Sequence, residues 1–336
     1  MSPNRFKKVT RGNMKIKEKV LSLLEGRQGE CISGEEIAKK LGVTRNCIWR
    51  SINSLKEEGH KIISQSNTGY LLSSEEDVFS ASRIEHLSSN NINVVLIDDA
   101  DSSNNVASEL AKQGAPEGTV VVVKRQNAGK GRMGRSFISN EENGLYMSII
   151  LRPKIQASES VNITVACAVA VLEAIEELSG KKCSIKWVND IYIANKKVCG
   201  ILTEGALNVE SGCFDFAIVG IGINITPPEN GFADEIKDIA TSIYDGKAPN
   251  GFKSALCALA TDKFLHYYRS IENKSYIASY REHSNLIGES VCVYRGDDAV
   301  NGVVLDIDDN ARLILKTEQG EVAFSSGEAR ARKNEQ

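Results

Sequence analysis

The spacing of apolar residues changes near residue 90, and this change constrains the fold more than any other feature. Up to residue 75, apolar residues recur three and four positions apart, which is typical of short amphipathic helices. From residue 93 onwards, short apolar runs alternate with helical segments. A chain of 336 residues is also too long for one domain of ordinary size. The sequence therefore predicts an α+β multidomain protein.

The first 75 residues predict a winged helix-turn-helix. Ser33 and Glu36 form a capping-box pattern at the start of a second helix, and Thr44 is placed to cap a third. Two short apolar segments then flank residues 66–69, which predicts a hairpin. Helix, helix, glycine turn, helix and hairpin is the order of this DNA-binding module.

The charge distribution supports a separate module that binds a polyanion. Residues 1–75 carry 14 lysines and arginines against 8 acidic residues, whereas the rest of the chain carries 27 against 36. The alternative is a basic solvated tail, which the helical pattern disfavours. The predicted DNA-binding residues lie on or cap the third helix: Thr44, Arg45, Asn46, Trp49, Arg50 and Asn53.

The eight cysteines are scattered, without metal-ligand spacing, so neither a zinc site nor a disulfide framework is expected. Buried thiols in a reducing cytosol are the simpler interpretation. The basic amino terminus lacks an apolar run, and no apolar segment is long enough to span a bilayer. We therefore expect a cytoplasmic protein with no membrane association.

Three domains are predicted: residues 14–75 as the winged helix, 83–283 as a catalytic domain and 285–333 as a small β-barrel. The polar stretch 73–82 is the expected linker. The barrel is predicted because the last fifty residues contain short strands separated by turns.

A loop over residues 129–135 alternates glycines with cations, reading Gly-Lys-Gly-Arg-Met-Gly-Arg. Its glycines allow positive φ and close backbone approach, and Lys130, Arg132 and Arg135 are suited to an anion such as a carboxylate or phosphate. Alone, this pattern is equally typical of a mobile surface turn. It matches neither a Walker A loop nor a dinucleotide-binding fingerprint.

Two further segments indicate a binding site only in combination with that loop. Asn189-Asp190 lies between predicted strands, and Lys197 begins the next strand, so the lysine and carboxylate are expected to face each other. Taken singly, Asp190 is more typical of an Asx turn and Lys197 of a solvated edge. Gly220 and Gly222 in an apolar strand indicate that something flat packs against the backbone.

Taken in order, the motifs resemble those of the biotin–protein ligases, in the bifunctional form that carries a winged helix. The resemblance covers roughly residues 15 to 333. It is carried by Asp101-Ser102-Ser103-Asn104, Gln126 to Arg132, Leu145-Tyr146, Lys186 to Asp190, Lys197 to Leu202 and Gly220 to Asn224.

The resemblance implies a central mixed α/β ligase domain like that of class II synthetases and lipoate ligases, followed by an SH3-like barrel. It implies biotin–[acetyl-CoA-carboxylase] ligase activity, in which biotin and Mg²⁺·ATP give biotinyl-5′-AMP and biotin then passes to a lysine of a biotin carboxyl carrier protein. The implied catalytic residues are Lys197, Arg132, Asp190 and Lys130. The implied biotin-binding residues are Ser102, Ser103, Asn104, Gln126, Lys130, Gly131, Arg132, Lys197, Gly220 and Gly222.

The resemblance also implies adenylate binding by Gly129, Arg135, Phe137, Asn189 and Asn224. The chain departs from the family pattern at four positions. Lys130 and Met133 stand where arginines are usual, Phe137 replaces tryptophan, and Val188 replaces proline. Lys130 keeps the charge but loses the bidentate geometry of arginine.

For regulation, the resemblance implies a homodimer that forms with bound adenylate and represses an operator of biotin genes. Two alternatives remain at this point. A lipoate or octanoate ligase shares the catalytic fold, but generally lacks the winged helix and the glycine-cation loop. A biotin-sensing regulator without ligase activity is disfavoured because Asp190 and Lys197 are both present.

Overall fold

The computed structural model describes residues 15–65, 68–139, 141–156, 159–207, 213–296 and 298–331. These residues divide into two compact units. The first contains residues 15–96 with 249–258, and the second contains residues 97–248 and 259–331.

Helices occur in both units, and each begins and ends as follows: α1 (Ile16–Gly26), α2 (Gly34–Leu41), α3 (Arg45–Glu57), α4 (Ala81–Leu87), α5 (Ser103–Lys112), α6 (Ser160–Ser179), α7 (Phe252–Arg269) and α8 (Tyr276–Glu282). Two short 3-10 turns cover Arg132–Gly134 and Ile271–Asn273.

In the first unit, α1 to α3 and a hairpin confirm the predicted winged helix-turn-helix. Strands β1 (Ile62–Gln65) and β2 (Gly69–Leu72) pair antiparallel. Their connection at residues 66 and 67 lies outside the described residues. The core is built from the apolar stripes of the three helices and from both strands, and includes Val20, Leu24, Ile37, Ile48, Ile52, Leu55, Ile62 and Leu72.

The two predicted caps form at their expected positions. Ser33 Oγ accepts the Glu36 N–H at 3.0 Å, and Thr44 Oγ1 accepts the Cys47 N–H at 3.3 Å. In a full capping box the Glu36 carboxylate would also accept the Ser33 N–H. Here that carboxylate accepts a hydrogen bond from the Arg27 guanidinium instead.

The segment predicted as a linker contains ordered structure. Val78 is buried in the core of the first unit, and the Ser80 hydroxyl accepts the Arg83 N–H at the start of α4. The sequence analysis did not predict α4, because its seven residues contain too few apolar positions to show a helical period.

The second unit contains a seven-stranded sheet in the order β3-β4-β5-β9-β8-β7-β6. Its strands are β3 (Asn93–Ala100), β4 (Thr119–Gln126), β5 (Gly144–Leu151), β6 (Ser184–Lys186), β7 (Asp190–Ile193), β8 (Lys196–Leu207) and β9 (Phe214–Asn224). In this spatial order, the neighbouring strands pair antiparallel from β4 to β5, β9, β8, β7 and β6.

The middle of this sheet is covered by helices. Every residue of β5 is buried, which explains its continuous apolar run. Helix α6 is itself mostly buried and packs against β6 to β9, while α5 packs against β4, β5 and β9. The carboxyl end of β4, the amino end of α5 and the middle of β9 therefore lie together.

The chain ends in a five-stranded antiparallel sheet in the order β13-β12-β11-β10-β14. Its strands are β10 (Ser290–Arg295), β11 (Asp298–Ile307), β12 (Leu313–Thr317), β13 (Gly320–Phe324) and β14 (Glu328–Ala331). The sequence analysis predicted short strands in this region but did not single out β14, because four residues are too few to show a periodic signal. Among the described residues, no helix combines the length and the apolar character that a membrane span requires.

Candidate functional site

One cavity in the second unit gathers most of the residues singled out in the sequence. Its volume is about 460 Å³, which includes the open space at its mouth. Its lining residues are Ser102, Ser103, Asn104, Gln126, Lys130, Gly131, Arg132, Phe137, Asn189, Lys197, Gly200, Ile201, Leu202, Gly220, Ile221 and Gly222. All ten residues predicted to bind biotin are on the lining.

The polar wall of the cavity is built where β4 meets α5. Ser102 caps α5 by accepting the Asn104 N–H at 3.2 Å. The Ser103 N–H donates to Gln126 Oε1 at 2.7 Å, and Gln126 Nε2 donates to Ser139 Oγ at 3.0 Å. Because these groups are buried and bonded to one another, they hold one arrangement before any ligand arrives.

The floor of the cavity is formed by glycines of the sheet, which leave space above the paired strands because they have no side chains. Strand pairing places Gly222 opposite Gly200, and Gly220 opposite Leu202. A Cβ atom on Gly220 would lie 2.1 Å from the Asn104 Oδ1 atom, and one on Gly222 would lie 2.8 Å from the Phe137 ring. The flat groups that these glycines accommodate are thus the chain's own amide and aromatic ring.

A carboxylate that the sequence analysis assigned no role joins two walls of the site. Glu204 Oε2 accepts a hydrogen bond from Asn104 Nδ2 at 2.6 Å, and Glu204 Oε1 lies 3.2 Å from the Lys130 ammonium. The sequence did contain a signal for Glu204. It follows Leu202 by two residues on β8, so both side chains lie on the same face of the strand. Glu204 therefore holds Lys130 toward the wall that contains Asn104.

The glycine-cation loop is closed by its own backbone. The Gly131 N–H donates to the Arg135 carbonyl at 2.7 Å, and the Phe137 N–H donates to the Gly129 carbonyl at 2.9 Å. Met133, at φ 55°, occupies the left-handed region and exposes 64% of its surface. The loop is therefore a tight hairpin that is held by its own backbone hydrogen bonds.

Arg132 and Arg135 connect this loop to the terminal sheet. Arg132 donates to Asn189 Oδ1 at 2.8 Å and to the Gly327 carbonyl at 3.3 Å. Arg135 forms a bidentate pair with Glu328, at 3.1 and 2.5 Å. Burial lowers the pKa of the Arg132 guanidinium, an effect that the Asp190 charge opposes.

Lys197 and Asp190 face each other on β8 and β7, as their spacing predicted. The Lys197 ammonium lies 2.8 Å from Asp190 Oδ1. The two groups form an ion pair, and Oδ1 is buried with the Lys197 ammonium as its partner. A bulge between Ile191 and Tyr192 shifts the strand register and brings the two charges together.

The remaining predicted residues lie outside the lining of this cavity. Asn224 donates to the Thr241 carbonyl at 3.0 Å, and Gly129 packs against the Phe137 carbonyl. Arg135 contacts Glu328, and Asp190 touches the site through Lys197. Conversely, four lining residues were given no role from sequence: Gly200, Ile201, Leu202 and Ile221.

The third helix of the first unit presents the predicted DNA-contacting side chains. Arg45, Asn46 and Arg50 are exposed, Trp49 exposes 54% of its surface, and Asn53 is half-buried. No described residue forms a hydrogen bond or ion pair with the guanidinium of Arg45 or Arg50. This face of α3 is therefore cationic and open to a ligand.

The cavity combines a polar, hydrogen-bonding wall with three cations near its mouth: Lys130, Arg132 and Lys197. Such a site suits a ligand that is neutral and polar at one end and anionic at the other. Within the described ranges, no cluster of three or more His, Cys, Asp or Glu side chains could hold a metal ion.

We predict that Gly220→Ala displaces the Asn104 amide, because the new methyl group would overlap Oδ1. The free energy of unfolding should fall by about 1–3 kcal/mol, as for other overpacked cores. Urea titration measures it. Gly246→Ala is the matched control, because open space surrounds that position. An unchanged stability of Gly220→Ala would contradict this packing.

A second prediction concerns acid. Hydrogen bonding to Arg135 holds the pKa of Glu328 at about 2, below its ordinary value of 4.5. Since the folded pKa is the lower one, this ion pair stabilises the protein above pH 4.5 and is lost as the pH falls toward 2. Glu328→Gln should therefore destabilise the protein at pH 7 and progressively less in acid. Thermal unfolding across pH measures the difference, and a gap that widens in acid would refute the assignment.

Comparison with known proteins places each part of the chain. Residues 97–224 match the Biotin/lipoate A/B protein ligase family, residues 17–71 match an HTH domain, and residues 286–329 match the Biotin protein ligase C terminal domain. The three matches follow the order of the winged helix, the large sheet and the terminal sheet.

Individual relatives extend over most of the chain. The bifunctional ligase/repressor BirA of Bacillus subtilis (strain 168) is 34% identical, over 91% of this chain and 95% of its own length. The biotin–[acetyl-CoA-carboxylase] ligase of Mycobacterium tuberculosis is 28% identical, over 63% and 78%. The biotin protein ligase of Aquifex aeolicus, solved in complex with biotin and ATP, is 27% identical with a TM-score of 0.59, over 72% and 99%. The chain therefore belongs to the biotin–protein ligase family, in its bifunctional ligase/repressor form.

Proposed function

We propose that this protein is an ATP-dependent biotin–protein ligase that also represses transcription in response to biotin. It forms biotinyl-5′-AMP and transfers biotin to a lysine of a biotin carboxyl carrier protein, such as that of acetyl-CoA carboxylase. The observation that carries the proposal is the convergence of all ten biotin-binding candidates on one cavity with three cations at its mouth. Relatives named as ligase/repressor and as biotin–[acetyl-CoA-carboxylase] ligase support it.

In this proposal biotin lies along the cavity, with its ureido ring against the polar wall. Ser103 and Gln126 face the ring, and Ser102 and Asn104 complete that end. Gly220 and Gly222 form the floor. The valerate carboxylate then extends toward Lys197 and the cationic loop, with Lys130, Gly131 and Arg132 closing over it.

The first step joins two anions. A biotin carboxylate oxygen attacks the α-phosphorus of ATP, the new O–P bond forms, and the bond to pyrophosphate breaks. Lys197 and Arg132 reduce the repulsion as the two groups approach, with Lys130 at the outer edge. Electrostatic stabilisation by preorganised charges of this kind is the largest single contribution to the rate enhancement of many enzymes.

Adenylate contacts are proposed at the other end of the loop. The Phe137 ring is half-buried and meets the Tyr146 ring edge-to-face, with centroids 6.3 Å apart. It offers one face for adenine to stack on. Asn189, held by Arg132, borders the same space, and Gly129, Arg135 and Asn224 support its rim.

The second step transfers biotin to an amine. The neutral acceptor lysine attacks the biotinyl carbonyl carbon, an amide bond forms and AMP leaves. Asp190 is the carboxylate placed to accept the proton that the amine loses. Its place beside Lys197, which lines the cavity, supports this role.

Mg²⁺ enters the proposal with ATP. Magnesium commonly keeps several water ligands and binds phosphate oxygens, with one or two carboxylates from the protein. The Asp190 carboxylate is compatible with such a limited contribution. When bound, the ion would neutralise phosphate charge.

For repression, we propose that adenylate binding promotes a homodimer that recognises a palindromic operator of biotin genes. The exposed cationic face of α3 would enter the major groove, with Arg45, Asn46 and Arg50 contacting bases or phosphates. Thr44, Trp49 and Asn53 would border the contact.

The catalytic assignment predicts the effect of removing one charge. Lys197→Gln should slow biotin-dependent ATP–pyrophosphate exchange about 100- to 1,000-fold, because a preorganised charge is lost. Lys196→Gln is the matched control: the neighbouring lysine donates to the Lys237 carbonyl and lies outside the cavity. Exchange at the wild-type rate in Lys197→Gln would remove Lys197 from the mechanism.

A transfer assay with the wild-type protein distinguishes this proposal from its alternatives. A streptavidin blot of apo-carrier incubated with protein, ATP and biotin should show label, and lipoate should not be transferred. Lipoate transfer would identify a lipoate ligase instead. Biotin binding without transfer would identify a regulator that lacks ligase activity.

The regulatory assignment predicts coupling between biotin and DNA. In gel-shift titrations, operator affinity should rise with biotin plus ATP and fall when apo-carrier is added. Arg50→Ala should weaken binding, since an exposed cation is lost. Lys56→Ala is the control on the same helix, because that ammonium bonds Ser64. An operator affinity that stays the same with and without biotin would refute the coupling.

A further inference from the structure

Lys186 is a half-buried lysine on β6, the terminal strand of the large sheet, and takes no part in the two steps described above. No described residue forms a hydrogen bond or ion pair with its ammonium group. That group lies 5.8 Å from the centroid of the Tyr192 ring, within the range of a cation–π contact. The three cations at the cavity mouth, by contrast, all have polar partners within the chain. Lys186 is therefore a cation that the chain leaves available.

Strand pairing places Lys186 in the same row as the cavity floor. Lys186 pairs with Asp190 across β6 and β7. Asp190 pairs with Gly200, which in turn pairs with Gly222. Directly paired residues point to one face of a sheet, so Lys186 shares the face on which the cavity lies. Neighbouring strands lie about 4.8 Å apart, which puts the Cα atom of Lys186 about 10 Å from that of Gly200.

The part of this row above Gly200 is occupied by groups of the proposed nucleotide site. A Cβ atom on Gly200 would lie 3.1 Å from the Lys197 ammonium and 3.4 Å from the Phe137 ring. The ring proposed to stack on adenine and the cation proposed for the α-phosphate thus meet there. A phosphate chain that continues along the row passes Asp190 and reaches Lys186.

The polar wall lies on the other side of Lys197 in the order of the strands. Gln126 is on β4, and Ser148 on β5 donates to Asn104 Oδ1 at 2.6 Å. Biotin that extends from this wall brings its carboxylate to Lys197 from the side of β4 and β5. Because the attacking and leaving oxygens lie roughly in line when a phosphorus atom is substituted, pyrophosphate leaves toward β7 and β6.

The charges around Lys186 favour a polyanion. Among the residues that the structure describes, the carboxylates of Asp190 and Glu328 interact with five cations, namely Lys186, Lys197, Arg132, Arg135 and Arg330. This surplus of three positive charges suits an anion that carries several charges. Burial lowers the pKa of the Lys186 ammonium, and a bound anion would stabilise its charged form.

We propose that Lys186 binds the β- and γ-phosphates of ATP and the pyrophosphate that leaves in the first step. The inference rests on the proposed function, because that step supplies the pyrophosphate. Lys197 then contacts the reacting α-phosphate, while Lys186 holds the leaving group at the end of the row. The second step begins from the adenylate and does not need Lys186.

The two steps can be measured separately. Lys186→Gln should raise the KM for ATP in biotin-dependent ATP–pyrophosphate exchange at least about tenfold, because a hydrogen bond between charged groups is lost. The KM for biotin should stay within about twofold. Transfer of biotin from synthetic biotinyl-5′-AMP to apo-carrier, without ATP, should also stay within about twofold, which shows that the variant is folded. Lys186→Arg, which keeps the charge, should hold the KM for ATP within about threefold of the wild type.

Lys182→Gln is the matched control. Lys182 lies four residues before Lys186, exposes 94% of its side chain and contacts Glu176 of α6 at 4.0 Å. Its replacement should leave both steps at the wild-type rate.

A second measurement needs no variant. In the wild type, reductive methylation followed by mass spectrometry reports how accessible each lysine ammonium is. Inorganic pyrophosphate with Mg²⁺, well above its Kd, should reduce the modification of Lys186 at least about threefold. AMP should leave it unchanged, and Lys182 serves as the internal reference.

Three results would overturn the inference. They are an unchanged KM for ATP in Lys186→Gln, no protection of Lys186 by pyrophosphate, and a transfer step slowed as much as the exchange. The last result would mean that Lys186 acts on Asp190 instead. A wild type that forms no adenylate and transfers no biotin would refute the proposed function.

Discussion

The register of three central strands is the constraint on which the site depends. Antiparallel pairing aligns Ser148, Gly220 and Leu202 across β5, β9 and β8. Glycine in the middle strand leaves room for the Asn104 amide to rest on the sheet. A shift of one residue would turn every side chain to the other face and would put Ile221 against that amide. The donors and acceptors of the wall therefore follow from backbone pairing.

The electrostatics of the site follow from the same framework. Each cation near the mouth already has a partner: Lys130 contacts Glu204, Lys197 contacts Asp190, and Arg132 contacts Asn189. These pairs hold the side chains in place while leaving them partly exposed. An anionic ligand would therefore compete with carboxylates of the chain, so affinity depends on the difference between the two sets of contacts.

Much of this arrangement could be predicted from sequence, and the failures have physical causes. The helix caps, the winged helix and the pairing of Lys197 with Asp190 follow from local spacing. Helix α4 and strand β14 were missed because short, polar elements carry little periodic signal. Glu204 and Ser148 were missed for another reason: their partners lie 44 to 100 residues away, and only folding brings them together.

The contact between the glycine-cation loop and the terminal sheet has a consequence for biosynthesis. Arg132 and Arg135 leave the ribosome before Gly327 and Glu328, their partners 195 and 193 residues later. Until those residues are translated, the loop lacks both of these anchors. The loop therefore reaches its anchored position only after β14 has left the ribosome.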